Sequence, residues 1–325
     1  MNALTREQES MTADVAIIGA GPVGLHAALK AALLNMSAVV VDKGRRHSRA
    51  FFIPRLQNIP GLPGISGAKL MQLQRENLDN YRDKVEIVEN TRVTDIIREE
   101  DVFVLKCAGK HGAIKARAVL LVTGVIDRQP EIGGTIRKVF PFANRDLVHY
   151  CILCDGHTVK RKDLCVIGCS SAAASMAIDL LYFEAASVTL LTHGMDLENQ
   201  NDLERLKEKS ILVLRDEILD LTGLERHKFG VVLKSGEPRY FDLGFVCLGY
   251  YHTGVDLGLR LGGHLSEEGF LVTSEDGQLL CNDGTPIANV FAVGDVRNSW
   301  NQIPIGWGDA EKAIISMYAS DQACI

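Results

Sequence analysis

Hydrophobic residues near the start of the chain form two short apolar runs separated by a segment of helical character. Residues 14–19 (DVAIIG) are almost continuously apolar, as expected of a parallel strand that is buried on both faces. The Ala/Leu-rich segment Leu25–Leu34 favours a helix, and the run 37–42 (SAVVVD) ends at Asp42. This pattern predicts one β-α-β unit.

The same pattern returns from about Lys162, where DLCVIGCSSAAASMAIDLLYFEAASVTLLT is typical of a strand, a small-residue turn, a helix and a strand. Two such units predict an α/β protein with two Rossmann-like dinucleotide-binding domains, each in three layers (ββα or αβα). A helix is predicted from about Gly308 to Ala319. Further strand-like runs are 85–89, 102–107, 118–124 and 289–295.

Turn-forming residues cluster near Asp127–Gly134 and Gly249–Gly254, where we expect the chain to pass between domains. The second domain is therefore predicted to be inserted into the first. The first domain comprises residues 1–127 and 251–325, and the inserted domain comprises residues 128–250.

Composition narrows the class of protein. The 325 residues are 46% hydrophobic and 23% charged, as in soluble globular chains with sizeable cores. A net charge of -6 and a pI near 5.9 argue against nucleic acid or an acidic membrane surface as the main partner. The first ten residues, MNALTREQES, lack the apolar segment of a signal peptide, so we expect a cytoplasmic protein without a membrane span.

The first glycine turn, Gly19-Ala20-Gly21-Pro22-Val23-Gly24, matches the GxGxxG pattern between a strand and a helix. Its first glycine permits a tight turn, its second lets the backbone approach a pyrophosphate, and its third lets the helix pack on the strand. Asp42 ends the next strand, in place to accept hydrogen bonds from a ribose. The alternative is a tight turn with a purely structural role.

Two of the eight cysteines, Cys151 and Cys154, form the only CxxC motif of the chain. Such a pair at a helix start favours a redox disulfide, because the helix start and neighbouring groups lower the pKa of a thiol. The following Asp155 is a candidate proton donor and acceptor, or else a cap of the next turn. Half of a zinc site is the alternative for the cysteines, with His149 and His157 nearby. The other cysteines, most of which lie in apolar runs, are 107, 165, 169, 247, 281 and 324.

Together, GAGPVG, CxxCDG ahead of the second β-α-β unit, and FAVGDV near the end resemble the low-molecular-weight thioredoxin reductases over essentially the whole chain. The resemblance implies FAD in the first domain, an NAD(P)H-type fold for the inserted one, and a homodimer. It also implies that Cys154 lies against the flavin, that Cys151 attacks a thioredoxin-like or small disulfide partner, and that Asp155 is the acid/base. The residues assigned to FAD are Gly19, Gly21, Pro22, Gly24, Asp42, Lys43, Asn58, Thr123, Gly124, Gly294, Asp295, Gln302 and Ile303.

The inserted domain departs from the family in its nucleotide motifs. Family members that use NADPH carry GGGxxA and then HRRxxFR, whose arginines hold the 2′-phosphate. Here the first motif is Gly168-Cys169-Ser170-Ser171-Ala172-Ala173, and the second is replaced by 192–198 (THGMDLE), which contains no arginine. The sequence therefore predicts that NADPH is not bound. The vacated region is either empty or holds another ligand, including a second flavin.

The flavin domain departs in a basic stretch over 43–49 (KGRRHSR). This stretch is either a solvated loop, a contact to the cofactor phosphates through Lys43, Arg45 or Arg46, or a docking surface for an acidic protein such as ferredoxin. Trp300 and Trp307 either pack in the core or stack near the flavin ring.

These features predict an FAD-dependent disulfide oxidoreductase that resembles the ferredoxin-linked and diflavin-linked branches, which do not take hydride from NADPH. Two enzymatic alternatives are a dithiol oxidase that reduces oxygen and an NADPH-dependent thioredoxin reductase with an atypical motif. A non-enzymatic alternative is a flavin-bound sensor whose disulfide only reports redox state. The sequence leaves the electron donor, the disulfide partner and the direction of electron flow open.

Overall fold

The computed structural model describes residues 11–108, 113–236 and 238–322, so the polar N-terminal decapeptide and Cys324 lie outside the described residues. The chain divides into two compact units. Unit 1 contains the chain up to Ile126 and from His252 onward, and unit 2 contains Asp127–Tyr251. Within the described residues, no helix is both long and apolar enough to cross a membrane.

The helices and strands are numbered along the whole chain. The helices are α1 (Pro22–Leu33), α2 (Gly67–Leu78), α3 (Phe140–Ala143), α4 (Ile152–Asp155), α5 (Ser171–Tyr182), α6 (Asn201–Glu208), α7 (Val255–Arg260) and α8 (Ile303–Gln322). The strands are β1 (Met11–Ile18), β2 (Ala38–Val41), β3 (Val85–Val88), β4 (Arg92–Glu99), β5 (Val102–Ala108), β6 (Ile114–Leu121), β7 (Val125–Asp127), β8 (Val148–His149), β9 (Asp163–Ile167), β10 (Ser187–Leu191), β11 (Leu212–Leu214), β12 (Ile218–Thr222), β13 (Phe229–Leu233), β14 (Arg239–Phe241), β15 (Leu243–Val246), β16 (Tyr250–His252), β17 (Gln278–Leu280) and β18 (Pro286–Ala292).

Unit 1 is built on a mixed sheet in which β18, β6, β1, β2 and β3 run parallel in that order. Successive side chains of β1 point to opposite faces, as the strand geometry requires. Val15 and Ile17 lie in a core with α1 and α8, while Ala16 and Ile18 lie in a second core with β4, β5 and α7. Unit 1 therefore has helices on one face of the sheet and an antiparallel layer on the other.

Unit 2 is built on a parallel sheet with the order β11-β10-β9-β15-β8. Helix α5 packs on β9 and β10. The antiparallel strands β12, β13 and β14 form a separate sheet, and Phe229 of β13 packs where Gly244 of β15 leaves room. The strand order reverses between β9 and β15, which is where ligands bind in doubly wound sheets. Short strands β7 and β16 pair where the chain passes between the units.

The two predicted β-α-β units are present, but some elements differ from the sequence prediction. Helix α8 begins at Ile303 rather than near Gly308, because Pro304 falls in the first turn, where a helix does not need the N–H group that proline lacks. Strand β4 and the β12–β14 sheet were not predicted. Strands β4, β12 and β14 each carry exposed and charged positions, so no continuous apolar run marks them, whereas β13 (FGVVL) is an apolar run that was not assigned from the sequence.

The close approach of α1 to β1 gives a direct test of this packing. A Cβ atom on Gly24 would lie 1.9 Å from the carbonyl oxygen of Gly19, so Gly24→Ala should destabilise the protein by about 3 kcal/mol, the upper range for overpacking. Urea unfolding followed by circular dichroism measures this loss. Gly308→Ala is the matched control, since the site is open and helical, and it should leave stability unchanged or slightly raised. Equal midpoints for the two variants would contradict the packing.

Candidate active site

The glycine turn of unit 1 is tight on its inner side and open on its outer side. Gly19 has a φ of +114°, and a Cβ atom there would lie 2.4 Å from the carbonyl oxygen of Val122. Gly21 differs, because the nearest atom to a Cβ added there would be the Ser48 hydroxyl at 3.4 Å. Pro22 takes the first helical position. The turn therefore exposes backbone at Gly21 and the start of α1, as a pyrophosphate site requires.

Asp42 braces the glycine turn. Its Oδ2 accepts a hydrogen bond from the backbone N–H of Ala20 at 2.7 Å, and its Oδ1 accepts one from Gly44 at 2.7 Å. A carboxylate has about four acceptor positions, so these two bonds leave acceptor capacity for ribose hydroxyls. The bracing role was not foreseen from the sequence. The neighbouring Lys43 has an exposed side chain.

The Gly294-Asp295 turn and the start of α8 converge on the start of α1. Gly294 has a φ of +70°, and a Cβ atom on it would lie 3.5 Å from the side chain of Val23. A Cβ atom added to Gly306 of α8 would lie closer still, 2.5 Å from Val23 Cγ2. Asp295 is 3.5 Å from the guanidinium of Arg49, a partner that sequence reasoning missed.

Asn58 and Gln302 meet although they are far apart in the chain. The Asn58 Nδ2 group donates to Gln302 Oε1 at 2.7 Å. Both side chains are half-buried, and Ile303, which follows, begins α8. Two residues assigned separately to the flavin region therefore form one polar contact.

Thr123 and Gly124 follow β6 at the same edge of the sheet. A Cβ atom on Gly19 would lie 3.6 Å from the Cα atom of Thr123, so the two turns are adjacent. The Thr123 hydroxyl oxygen is buried and has no hydrogen-bond partner among the described residues. The Thr253 hydroxyl donates to the Gly124 carbonyl at 2.9 Å.

The two tryptophans have different environments. The Trp307 indole N–H donates to the carbonyl of Pro22 at 3.1 Å, and its ring stacks on His26 with centroids 5.6 Å apart. Trp307 thus fastens α8 to α1. Trp300 is 70% exposed, so the core-packing interpretation is wrong for that residue.

In unit 2, Cys151 and Cys154 form a disulfide with Cα atoms 5.3 Å apart. Cys151 caps the single-turn helix α4, and its sulfur accepts a hydrogen bond from the Cys154 N–H at 3.2 Å. Within the described residues, no group of three or more His, Cys, Asp or Glu side chains is placed to hold a metal ion. The arrangement is suited to thiol/disulfide exchange.

The carboxylate of Asp155 pairs with a histidine. Its Oδ2 lies 3.4 Å from Nδ1 of His149, whose side chain is only 11% exposed. The turn after α4 uses the Asp155 carbonyl instead, which accepts from the Thr158 hydroxyl at 2.7 Å. The sequence pointed to His149 only as a zinc ligand, because the pairing depends on how the chain folds around the disulfide.

The second glycine turn satisfies its own polar groups. The Ser170 hydroxyl accepts from the Ala173 N–H at 3.3 Å, and so caps α5. The Ser171 hydroxyl donates to buried Asp202 at 2.6 Å. The Glu198 N–H donates to the Cys169 carbonyl at 3.0 Å. Burial, and after it the negative charge of the nearby Glu198 carboxylate, raise the pKa of the Cys169 thiol.

The segment after β10 carries no free cation at the position of the family arginines. His193 Nδ1 accepts from the Ile218 N–H at 2.9 Å, so its Nε2 carries the proton and donates to the Glu131 carbonyl at 2.9 Å. Asp196 pairs with Arg215 at 3.1 Å. Arg215 follows β11, and sequence reasoning missed it because it lies outside the motif.

Residues 13–310 match the model of the pyridine nucleotide-disulphide oxidoreductase family. The chain belongs to this family. It is similar to a thioredoxin reductase of Bacillus subtilis (27% identical over 94% of this chain and 93% of that one) and to a ferredoxin–NADP reductase of Picrophilus torridus (28%, over 95% of each). Its fold matches the crystal structure of a thioredoxin reductase from Streptococcus pyogenes with a TM-score of 0.83 and 25% identity, covering 97% of this chain and all of that one.

The chain is thus a thioredoxin reductase-like, FAD-dependent disulfide oxidoreductase with two Rossmann-like domains. The residues of unit 1 fit FAD. Gly21 leaves the backbone open to a pyrophosphate, and the buried Thr123 hydroxyl lacks a partner among the described residues. Bound FAD supplies a two-electron carrier for the disulfide.

A methyl group at Gly21 should separate cofactor binding from folding. Gly21 has φ −68° and ψ 178°, which alanine adopts freely, and the added Cβ meets only the Ser48 hydroxyl at 3.4 Å. Gly21→Ala should keep the unfolding midpoint near that of the wild type but weaken FAD binding at least about tenfold, or about 1.4 kcal/mol. Fluorescence titration of the apoprotein with FAD measures the affinity. Undiminished affinity would show that no phosphate approaches this backbone.

Proposed function

We propose that the protein exchanges electrons between FAD and the Cys151–Cys154 disulfide, and passes them on to thiol/disulfide partners without taking hydride from NADPH. The observation that carries the second part is the position of the acidic residue Glu198, whose backbone N–H donates to the Cys169 carbonyl of the second glycine turn at 3.0 Å. A dinucleotide brings its pyrophosphate to this turn. The negative Glu198 carboxylate and the negative pyrophosphate would then lie close together and repel each other.

The hydrogen bonds of the turn support the same conclusion. A pyrophosphate binds to backbone N–H groups at the start of the helix. Here the Ser170 hydroxyl already accepts the Ala173 N–H of that turn. The side chains at Cys169 and Ser170 also take space that glycines leave open in the GGGxxA motif.

The 2′-phosphate distinguishes NADPH from NADH. Residues 192–198, where the family places the arginines that bind this phosphate, contain no lysine or arginine. His193 uses both ring nitrogens in bonds to the backbone, so neither nitrogen is left to bind a phosphate. A phosphate at this position would be bound by arginine forks in the family. Arg215, which contacts this segment from the end of β11, is paired with Asp196.

That same Arg215 supports a second candidate, an NADPH-dependent thioredoxin reductase. The Arg215 side chain is partly exposed. In this candidate the nucleotide binds despite the negative charge of Glu198, and its 2′-phosphate competes with Asp196 for the guanidinium of Arg215. The pair with Asp196 then opens when nucleotide binds. The two candidates differ in one measurable property, the reduction of the flavin by NADPH.

An anaerobic titration distinguishes the two candidates. NADPH and NADH should leave the flavin absorbance near 450 nm unbleached, because the charge at Glu198 and the capped helix start oppose the pyrophosphate. Dithionite should bleach the same sample and so show that the flavin is competent. Rapid stoichiometric bleaching by NADPH would overturn the proposal. The flavin content of this sample also tests for one FAD per chain against two.

The chain's own residues account for the exchange chemistry. By the resemblance, Cys151 attacks the partner disulfide, Cys154 exchanges electrons with the flavin, and Asp155 moves the proton. The capping position of Cys151 on α4 directs the Cys154 N–H toward its sulfur. We propose thioredoxin-like proteins or small disulfides as partners, and a homodimer, which sedimentation checks.

We propose an acidic protein of the ferredoxin type as the electron donor. Lys43, Arg45 and Arg46 all have exposed side chains, on a chain whose net charge is -6. Arg45 is held 3.3 Å from Glu89, which also binds the buried Arg75 at 2.6 Å. The relative from Picrophilus torridus is itself a ferredoxin–NADP reductase.

Charge reversal of this loop tests the donor. The double variant Lys43→Glu/Arg46→Glu should lower the rate constant for reduction by ferredoxin about tenfold at low salt, because it removes electrostatic steering. The difference should shrink at high ionic strength, where such steering is screened. The control is Arg92→Glu/Lys312→Glu, which makes the same change in net charge at other exposed positions. Equal rates for both variants would place ferredoxin docking elsewhere.

A further inference from the structure

A histidine lies beside the proposed acid/base of the disulfide. Strand β8 ends at His149, two residues before Cys151, and α4 ends at Asp155, immediately after Cys154. The chain folds back around the disulfide, and His149 Nδ1 comes to 3.4 Å from Asp155 Oδ2. The imidazole and the carboxylate therefore bracket the redox pair along the chain.

The position of the imidazole is fixed by packing. His149 pairs in register with Phe245 of β15, and the two rings lie 5.4 Å apart. The His149 side chain is 11% exposed, and that of Asp155 is 25% exposed. The two groups therefore form a close polar pair in which neither side chain is fully exposed to solvent.

Other charges near the pair are few. Helix α3 and strand β15, which pack against β8, have the sequences FPFA and LGFV and carry no charged residue. The Tyr150 hydroxyl donates to the Gln129 side chain at 2.8 Å. His157, two residues after Asp155 in the sequence, is exposed. Asp155 is therefore the acidic group that faces His149 from the described elements around it.

We propose that His149 is a positioning residue that holds, together with Asp155, the proton exchanged during the disulfide chemistry. This inference deepens the proposed function and rests on its exchange at Cys151 and Cys154. The pair takes up one proton as imidazolium and carboxylate, and releases it through Asp155 to leave neutral imidazole and carboxylate. Glutamine at position 149 keeps an N–H donor but binds no proton.

The proton has a defined place in each step. Reduction breaks the S–S bond with two electrons, which bound FAD would supply in turnover and which an added dithiol supplies in the labelling experiment. Cys154 becomes a thiolate, and Cys151 becomes a thiol with the proton of the pair. In the exchange with a substrate disulfide, the Cys151 thiol first returns its proton to the pair. Its sulfur then bonds to one substrate sulfur, the substrate S–S bond breaks, and the other substrate sulfur leaves as a thiolate. Cys154 then attacks Cys151, and the second substrate thiolate leaves and takes the proton.

Alkylation of the reduced full-length holoenzyme tests this role without any electron donor. The protein is reduced with dithiothreitol under anaerobic conditions and desalted, and iodoacetamide labelling of Cys151 is followed by mass spectrometry from pH 5 to pH 9. A nearby imidazolium favours thiolate, so the wild-type rate should rise in two steps. His149→Gln should abolish the step at lower pH and slow labelling at pH 6 about tenfold.

The controls separate proton transfer from packing. His157→Gln removes an exposed histidine close by in sequence, and its pH profile should match the wild type. Asp155→Asn should also abolish the lower step, and adding His149→Gln to it should change nothing further, because His149 acts through Asp155. If His149→Gln does not fold, Asp155→Asn alone still tests whether the lower step depends on the pair.

Three results would overturn the inference: an unaltered lower step in His149→Gln, an equal slowing at every pH, or additive effects of the two substitutions. An equal slowing would mean that His149 only supports packing. Bleaching of the flavin by NADPH would contradict the proposed function but leave this measurement intact, since labelling requires only the dithiol. Failure of either idea is therefore recognised separately.

Discussion

The cofactor region of unit 1 depends on one backbone contact, the approach of Gly24 to the carbonyl of Gly19. A Cβ atom at Gly24 would lie 1.9 Å from that oxygen, so only glycine lets α1 come this close to the end of β1. Val23, one residue earlier, is thereby placed against Gly294 and Gly306. The glycine turn, the turn after β18 and the start of α8 consequently share one edge of the sheet, where the cofactor of this family binds.

Unit 2 keeps the topology of this arrangement but uses its hydrogen bonds differently. Gly168 is still required, because a Cβ atom there would lie 2.4 Å from the Cys247 carbonyl. The start of α5, however, is capped by Ser170 and tied to buried Asp202 through Ser171. In unit 1 the start of α1 has no side-chain cap, so its N–H groups are left for a ligand. The same fold thus presents one open and one internally satisfied helix start.

Local sequence patterns predicted the local chemistry but not the partners of each side chain. The glycine turn, Asp42 and the CxxC motif are contiguous or spaced by one β-α-β unit, so periodicity and spacing were enough to find them. The bond between Asn58 and Gln302 joins residues 244 positions apart, and Arg215 reaches Asp196 from a different strand. Such contacts depend on strand order and register, which hydrophobic patterning does not specify.

The histidines of unit 2 show why residue type alone does not assign a proton-transfer role. His193 stands where the family carries an arginine, yet an N–H of the backbone points at its Nδ1, so a proton added there would cost that hydrogen bond. His149 instead directs its Nδ1 toward the Asp155 carboxylate, 3.4 Å away. The fold therefore gives one histidine two bonds to the backbone and gives the other, beside the disulfide, a carboxylate partner. Because a thiol must lose one proton before its thiolate attacks a disulfide, the exchange chemistry proposed for unit 2 needs a proton acceptor at the cysteines.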